Sequence, residues 1–181
     1  MQLGKSAAEA SAKPGAFSQI FPSKLKETLL LRAFGFLKIP MLYSISPTVV
    51  EISEKRCVVR VPLNRRTKNH LNSMYFGALA AGADCAGGLI AMRFLREEEA
   101  QVSLIFKDFH AEFMKRAEGD VLFACEDGDA VRELVRQTVT TGERQNMPLH
   151  ITATVPSKFG TEPVAKFILT LSLKKKTKKV H

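Results

Sequence analysis

Tryptophan is absent from these 181 residues and tyrosine occurs only twice, so any aromatic platform for stacking bases would have to be built from phenylalanine. Cysteine occurs three times, as Cys57, Cys85 and Cys125, with no two close in sequence. That fits neither a disulfide framework nor a Cys-x-x-Cys zinc site, and it predicts three reduced, mostly buried thiols. His70, His110, His150 and His181 lie far apart and show no metal-ligand spacing, so no metal is expected. There is no Gly-x-Ser-x-Gly, which argues against an α/β-hydrolase nucleophile. Phosphate loops and dinucleotide fingerprints are also missing. The first twenty residues hold no apolar run bounded by a small-residue cleavage site, so no secretory leader is expected. The apolar run from Met74 is stopped by Asp84, short of a membrane span. These absences favour a cytoplasmic setting, with no nucleic acid and no membrane span.

What is present is an ordinary globular mixture, 45% hydrophobic and 25% charged, in a chain long enough for one domain with a real core. Lys and Arg number 27 against 18 Asp and Glu, a formal charge of +9. Five of those cations, Lys174, Lys175, Lys176, Lys178 and Lys179, crowd the last eight residues; nine less five leaves +4 for the rest. A mildly basic body suits a phosphorylated small molecule as well as a nucleic acid. The lysine run reads as a solvated tail rather than a nucleic-acid clamp.

The chain divides into a flexible N-terminal segment over 1–20, a domain over 21–173 and the lysine-rich tail over 174–181. A helix is expected over 22–38, with Ser23 as cap and Leu25, Leu29 and Phe36 in an apolar stripe; Pro40 ends it. Docking of that stripe on the core is preferred to the alternative, a membrane-surface role. Residues 49–52 and 57–62 alternate apolar with polar around Glu54-Lys55, a β-hairpin. A polar loop over 64–69 leads into a long helix over about 73–95. That helix is rich in glycine and alanine and apolar on nearly every face, which predicts a backbone pressed against a sheet. Strands over 102–109 and 121–125, an amphipathic helix over 129–141 and strands over 149–155 and 164–173 follow. Short connections imply an antiparallel sheet, curved to wrap the buried helix. The fold class is α+β, with an extra N-terminal helix. The sheet's edges and far face then want a second copy.

The chemistry gathers in Asn69-His70-Leu71-Asn72-Ser73-Met74-Tyr75-Phe76-Gly77 and in Asp84. Asn72 or Ser73 can cap the helix, leaving amides near Tyr75, Phe76 and Gly77 as an oxyanion or phosphate site reinforced by the helix dipole. Gly77 permits close approach of a ligand. Asp84 is the only charged side chain between Asn72 and Arg93 and lies seven residues after Gly77, on the same side of the helix. Burial should raise its pKa above the usual value of about 3.9, towards that of a base. Composition and spacing leave two readings open: a general base, or a structural carboxylate bonded to backbone or to Arg or Lys across an interface.

Pro62-Leu63-Asn64, followed by Asn69, Gly77 and Asp84, resembles the hot-dog-fold thioesterases, nearest in pattern to the phenylacetic-acid-pathway and 4-hydroxybenzoyl-CoA types and to the DUF4442 group. Those families often place His-Gly-Gly six residues after an Asn and an acidic residue seven after the last Gly. The spacing is kept here, but His-Gly-Gly has become Tyr75-Phe76-Gly77. The run Phe113-Met114-Lys115-Arg116-Ala117-Glu118-Gly119-Asp120-Val121 resembles the family's Gly-Asp turn. The likeness covers about 40–173. It implies a hot-dog fold and an acyl-CoA or acyl-carrier thioesterase with no cofactor beyond the CoA of its substrate. Asp84 then matches the base or nucleophile, and Asn69 the residue that positions water or the carbonyl. The Phe76 amide beside Gly77 matches the oxyanion hole, and Ser103 a residue that assists water. It further implies a homodimer or dimer of dimers with sites between protomers. Arg65, Arg66 and Lys68 would meet CoA phosphates, or remain a solvated loop. The alternative is a non-catalytic acyl- or lipid-binding hot-dog protein in which Asp84 is structural.

Overall fold

The structure is a computed structural model that describes residues 23–99 and 101–176. The N-terminal segment expected over 1–20, and the tail from 177 onward, lie outside the described residues. In order, the elements are α1 (Ser23–Lys38), α2 (Pro40–Ser44), β1 (Thr48–Ile52), β2 (Cys57–Val61), α3 (Phe76–Glu97), β3 (Val102–Phe113), β4 (Val121–Cys125), α4 (Gly128–Thr141), β5 (Gln145–Thr154), α5 (Pro156–Phe159) and β6 (Pro163–Lys175). The strands form one six-stranded sheet in the order β1-β2-β4-β5-β6-β3, with every neighbouring pair antiparallel. The sheet wraps α3, so the expected α+β hot-dog architecture with an added N-terminal helix is what the chain adopts.

Small residues let α3 sit this close. A Cβ on Gly82 would lie 2.3 Å from the ring of Phe123, and Phe123 is fully buried in β4. Any larger residue there would overlap a side chain with nowhere to go. Ile90, Ala86 and Phe94 of α3 meet Phe123, Leu149, Ile151 and Phe167 of the sheet in one continuous core. By length and composition α3 is also apolar enough to cross a membrane, but two thirds of its most apolar stretch is buried inside the fold (67%). The sheet supplies what a bilayer otherwise would. The β-turn expected at Glu54-Lys55 joins β1 to β2, and the buried residues Val131, Leu134, Val135 and Thr138 pack α4 onto α3, β5 and β6.

Several expectations need correction. α3 begins at Phe76, three residues later than expected, with Tyr75 as its N-cap. Neither Asn72 nor Ser73 caps it. Asn72 takes the left-handed conformation (φ +59°) and Ser73 is tied to Asn69. Pro40 does end α1, but it also opens α2, as Pro156 opens α5, because proline suits the first helical position. β3 runs on to Phe113 through a register shift between Phe106 and Phe109, where Lys107-Asp108 hides the alternation. β5 begins at Gln145, since Pro148 does not stop its pairing with β6. β6 continues to Lys175, so Lys174 and Lys175 are strand residues rather than tail.

α1 does dock on the core, but not through the expected stripe. Thr28 and Leu31 are buried, the Thr28 hydroxyl accepts the Val49 N–H at 2.9 Å, and Arg32 donates to the Pro47 carbonyl at 2.9 Å. Leu25, Leu29 and Phe36 instead face outward and are exposed. A helix apolar on two sides gives no sequence signal as to which side is covered.

Candidate active site

Asp84 sits midway along α3, half-buried, and borders a cavity of about 510 Å³ between α1, α2, α3 and the first residues of β3. Leu31, Phe34, Leu42, Leu89 and Met92 form apolar walls, and Ser103 of β3 borders the same space. Burial alone pushes the pKa of Asp84 up to about 6, and neither a charged neighbour nor a hydrogen bond offsets it. Within the chain, then, no backbone group or cation among the described residues holds this carboxylate. An unpaired carboxylate in an apolar cavity, ionised at neutral pH yet more basic than usual, can accept a proton from water.

The amino end of α3 borders a second cavity of about 300 Å³, shared by Asn69, Tyr75, Phe76, Phe113, Lys115 and Arg116. Here the Ala78 and Leu79 amides turn back onto the Tyr75 carbonyl at 2.9 and 3.0 Å, and the Tyr75 amide donates to the Thr67 carbonyl at 2.8 Å. Among the described residues the Phe76 and Gly77 amides donate to nothing, so two open donors stand at the positive end of the helix. The Tyr75 ring folds back so that a Cβ on Gly77 would lie 2.7 Å from its Cε1, and the Tyr75 and Phe76 rings lie 4.7 Å apart. Glycine at 77 thus makes room for Tyr75 as well as for a ligand.

Asn69 spends its side chain on its own loop. Its Oδ1 accepts from the Leu71 N–H at 2.8 Å and the Ser73 N–H at 3.2 Å, and its Nδ2 donates to the Ser73 hydroxyl at 3.1 Å. That is an Asx-type turn, which shapes the approach to the helix start. Asp120 of the Gly-Asp turn anchors the preceding loop by accepting the Leu63 N–H at 2.8 Å and by pairing with Arg60.

The expected site residues thus fall into two groups. Asp84 is with Ser103, and Asn69 is with Phe76; the two cavities have no lining residue in common. They border opposite ends of β3, Val102–Ile105 at one and Phe113 at the other. Arg65 and Arg66 are exposed and line neither cavity; Lys68 donates to Asn72 Oδ1 at 3.1 Å. The cations at the second cavity are Lys115 and Arg116, which sequence reasoning passed over although they stand inside the quoted Gly-Asp turn segment. Lys115 pairs with Glu162, whereas Arg116 has no side-chain partner among the described residues.

Cys57 and Cys125 are directly opposite each other across β2 and β4, and with Cys85 they are free and buried, as expected. Burial pushes the Cys57 thiol up to about 12 and the Cys125 thiol up to about 11, which keeps both un-ionised. No group of three or more metal-ligating side chains is found among the described residues.

A family model described as "domain of unknown function (DUF4442)" matches residues 27–171. Curated protein sequences yield no match. Among solved structures, a protein of unknown function from Pseudomonas aeruginosa, called a probable thioesterase, is 24% identical; the match spans 82% of this chain and 96% of that one at a TM-score of 0.66. A protein of unknown function from Chlorobaculum tepidum has a TM-score of 0.73 at 14% identity, over 84% of this chain and 97% of that one. A thioesterase from Haemophilus influenzae has a TM-score of 0.60 at 12% identity, over 84% and 92% respectively. At these identities the likeness is one of fold.

Proposed function

The chain belongs to the DUF4442 family, and on that premise we propose that it hydrolyses the thioester of an acyl group carried by CoA or by a carrier protein. The observation that carries this reading is Asp84: a carboxylate without a partner among the described residues, raised to about 6 by burial, facing a largely apolar cavity of ligand size. Asp84 takes a proton from water as the oxygen adds to the thioester carbonyl. The oxyanion accepts hydrogen bonds from the Phe76 and Gly77 amides. The tetrahedral adduct expels the thiolate, which recovers the proton from Asp84, leaving a carboxylic acid and a free thiol. An oxyanion donor of this kind is worth about 10²–10³ in turnover, and a positioned base about 10²–10⁴. Ser103 steadies the water, and Asn69 acts through the loop that it ties. Arg116 meets CoA phosphates more directly than Arg65, Arg66 or Lys68, since it borders the cavity.

One protomer separates the base from the amides, and β3 supplies the means of joining them. It is one of the sheet's two edge strands and by far the longer, twelve residues against the five of β1, with Ile105, Phe109 and Phe113 exposed. Such an edge invites pairing with a copy of itself. Antiparallel pairing about a two-fold axis near Lys107-Asp108 sets Ser103 of one protomer beside the partner's Phe113. The Asp84–Ser103 half then meets the partner's Phe76–Gly77 half, and two complete sites form per dimer.

The Tyr75 ring folded against Gly77, beside the Phe76 ring, narrows the approach to the helix start and favours one second reading, a hot-dog protein that binds acyl groups without hydrolysing them. A panel of acyl-CoAs, followed by release of free thiol, separates the two. Turnover by the parent chain that is lost in Asp84→Asn supports the hydrolase. Saturable acyl-CoA binding without turnover at any chain length overturns it in favour of the binder.

A further inference from the structure

The outward face of α1 and α2 has no part in the site just described, and it is rich in exposed apolar side chains. Leu25, Leu29 and Phe36 share one face of α1, and Leu37, Met41 and Tyr43 carry the patch onto α2. Phe36, Leu37 and Met41 are 64%, 72% and 65% exposed, far more than isolated surface residues need be. The Phe36 and Tyr43 rings meet edge to face at 5.3 Å and fasten the two helices into one surface. The charges nearby are of one sign. Lys24, Lys26 and Lys38 are exposed along α1, while its single acid, Glu27, is tied to Arg96 at 2.9 Å. Lys176 borders the cavity beneath these helices, and the sequence continues with Lys178 and Lys179.

We propose that α1 and α2 dock this protein on an anionic lipid bilayer, apolar side chains inserted at the headgroup boundary and lysines on the lipid phosphates. Apolar residues flanked by lysine, with tyrosine at the margin, are what an interfacial helix presents. A negatively charged surface complements this set of lysines. A second copy of the chain would bring its own Lys24, Lys26 and Lys38 to the same patch, like charge against like. The inner sides of the same helices supply Leu31, Phe34, Ile39 and Leu42 to the Asp84 cavity, so docking places that cavity directly behind the membrane contact. Only this last consequence, acyl chains passing between bilayer and cavity, rests on the hydrolase reading; vesicle binding is measured without substrate.

The test is flotation of the full chain with phosphatidylcholine vesicles, with and without phosphatidylglycerol. The parent should float with the anionic vesicles and stay behind with the neutral ones. Phe36→Ser/Leu37→Ser and Lys24→Gln/Lys26→Gln/Lys38→Gln should each lower partitioning about tenfold or more. The lysine variant should leave thermal unfolding unchanged, and the Phe36 variant, which gives up the Tyr43 ring contact, should still unfold cooperatively. Absence of flotation, flotation indifferent to these substitutions, or equal binding to neutral vesicles would overturn the proposal. So would a concentration-dependent mass in sedimentation that Phe36→Ser/Leu37→Ser abolishes without any vesicle binding, because a second copy would then own the patch.

Discussion

A Cβ built on Gly88 lies 3.8 Å from Oδ1 of Asp84, one helical turn away, and 3.9 Å from the ring of Phe106. The glycine leaves the flank of the carboxylate open to the cavity without being forced by any close contact. Six residues earlier, Gly82 is in the opposite situation, with Phe123 at 2.3 Å.

The two glycines should therefore answer differently to the same change. Gly82→Ala is expected to destabilise by about 1–3 kcal/mol through overpacking. Gly88→Ala should be neutral or stabilise by up to about 1 kcal/mol, as alanine favours a helix. Urea unfolding of both variants checks this. Equal losses would mean that α3 is pressed on the sheet as tightly at 88 as at 82.

Asp84→Asn should lower kcat by about 10²–10⁴ if the residue is the base. For the parent, kcat/KM should rise with pH through about 6, as Asp84 ionises, and then level off. The residual activity of Asp84→Asn should lack that limb. A pH–rate profile on one acyl-CoA reads both; an unchanged limb would assign it to another group.

The same carboxylate has a stability signature. Its folded pKa, about 6, stands above its ordinary value of 3.8, so the folded chain holds a proton that the unfolded chain has lost. Between those two values stability falls as pH rises, because the folded state binds more protons there. Asp84→Asn removes that loss. It should match the parent near pH 4 and exceed it by about 2 kcal/mol at pH 8, measured by urea unfolding at both values.

Arg116→Ala should raise KM for a CoA thioester several-fold while leaving kcat within about twofold, the pattern of lost ground-state binding. Arg65→Ala and Arg66→Ala should change neither, since neither residue borders the Asp84 cavity or the one at the helix start. A short thioester lacking the CoA phosphates should be insensitive to all three.

The fold was largely legible because its strongest signals are local. Alternation marked β1 and β2, and a run of glycine and alanine marked α3 as a buried helix. What escaped depended on partners distant in the chain. The length of β3 is set by its pairing with β6 across a shifted register, and alternation cannot show that. The start of α3 moved to Phe76 because Asn69 captures Ser73, so the residues that look like caps are used one loop earlier. In the site, Asp84 was legible as a lone charge in an apolar run. Its separation from the Phe76 amide was not: seven residues share a helix face, but the cavities on that face are divided by what other elements place between them. Arg116 was in view as sequence, but only folding brings it to the helix start. Leu25, Leu29 and Phe36 read as core because apolar spacing does not reveal which of two faces meets the protein.

The Asp84 cavity has one wall that resists change and one that does not. On the α3 side the backbone itself is held, since Gly82 is pressed against Phe123 on the sheet behind it. On the other side stand Leu31, Phe34, Ile39 and Leu42, carried by two helices that precede the first strand and touch few of its neighbours. On the hydrolase reading, a chain of this design could alter the length and girth of the acyl groups it takes by exchanging side chains on those two helices while Asp84 stays as it is. Preference and chemistry would then be separately tunable.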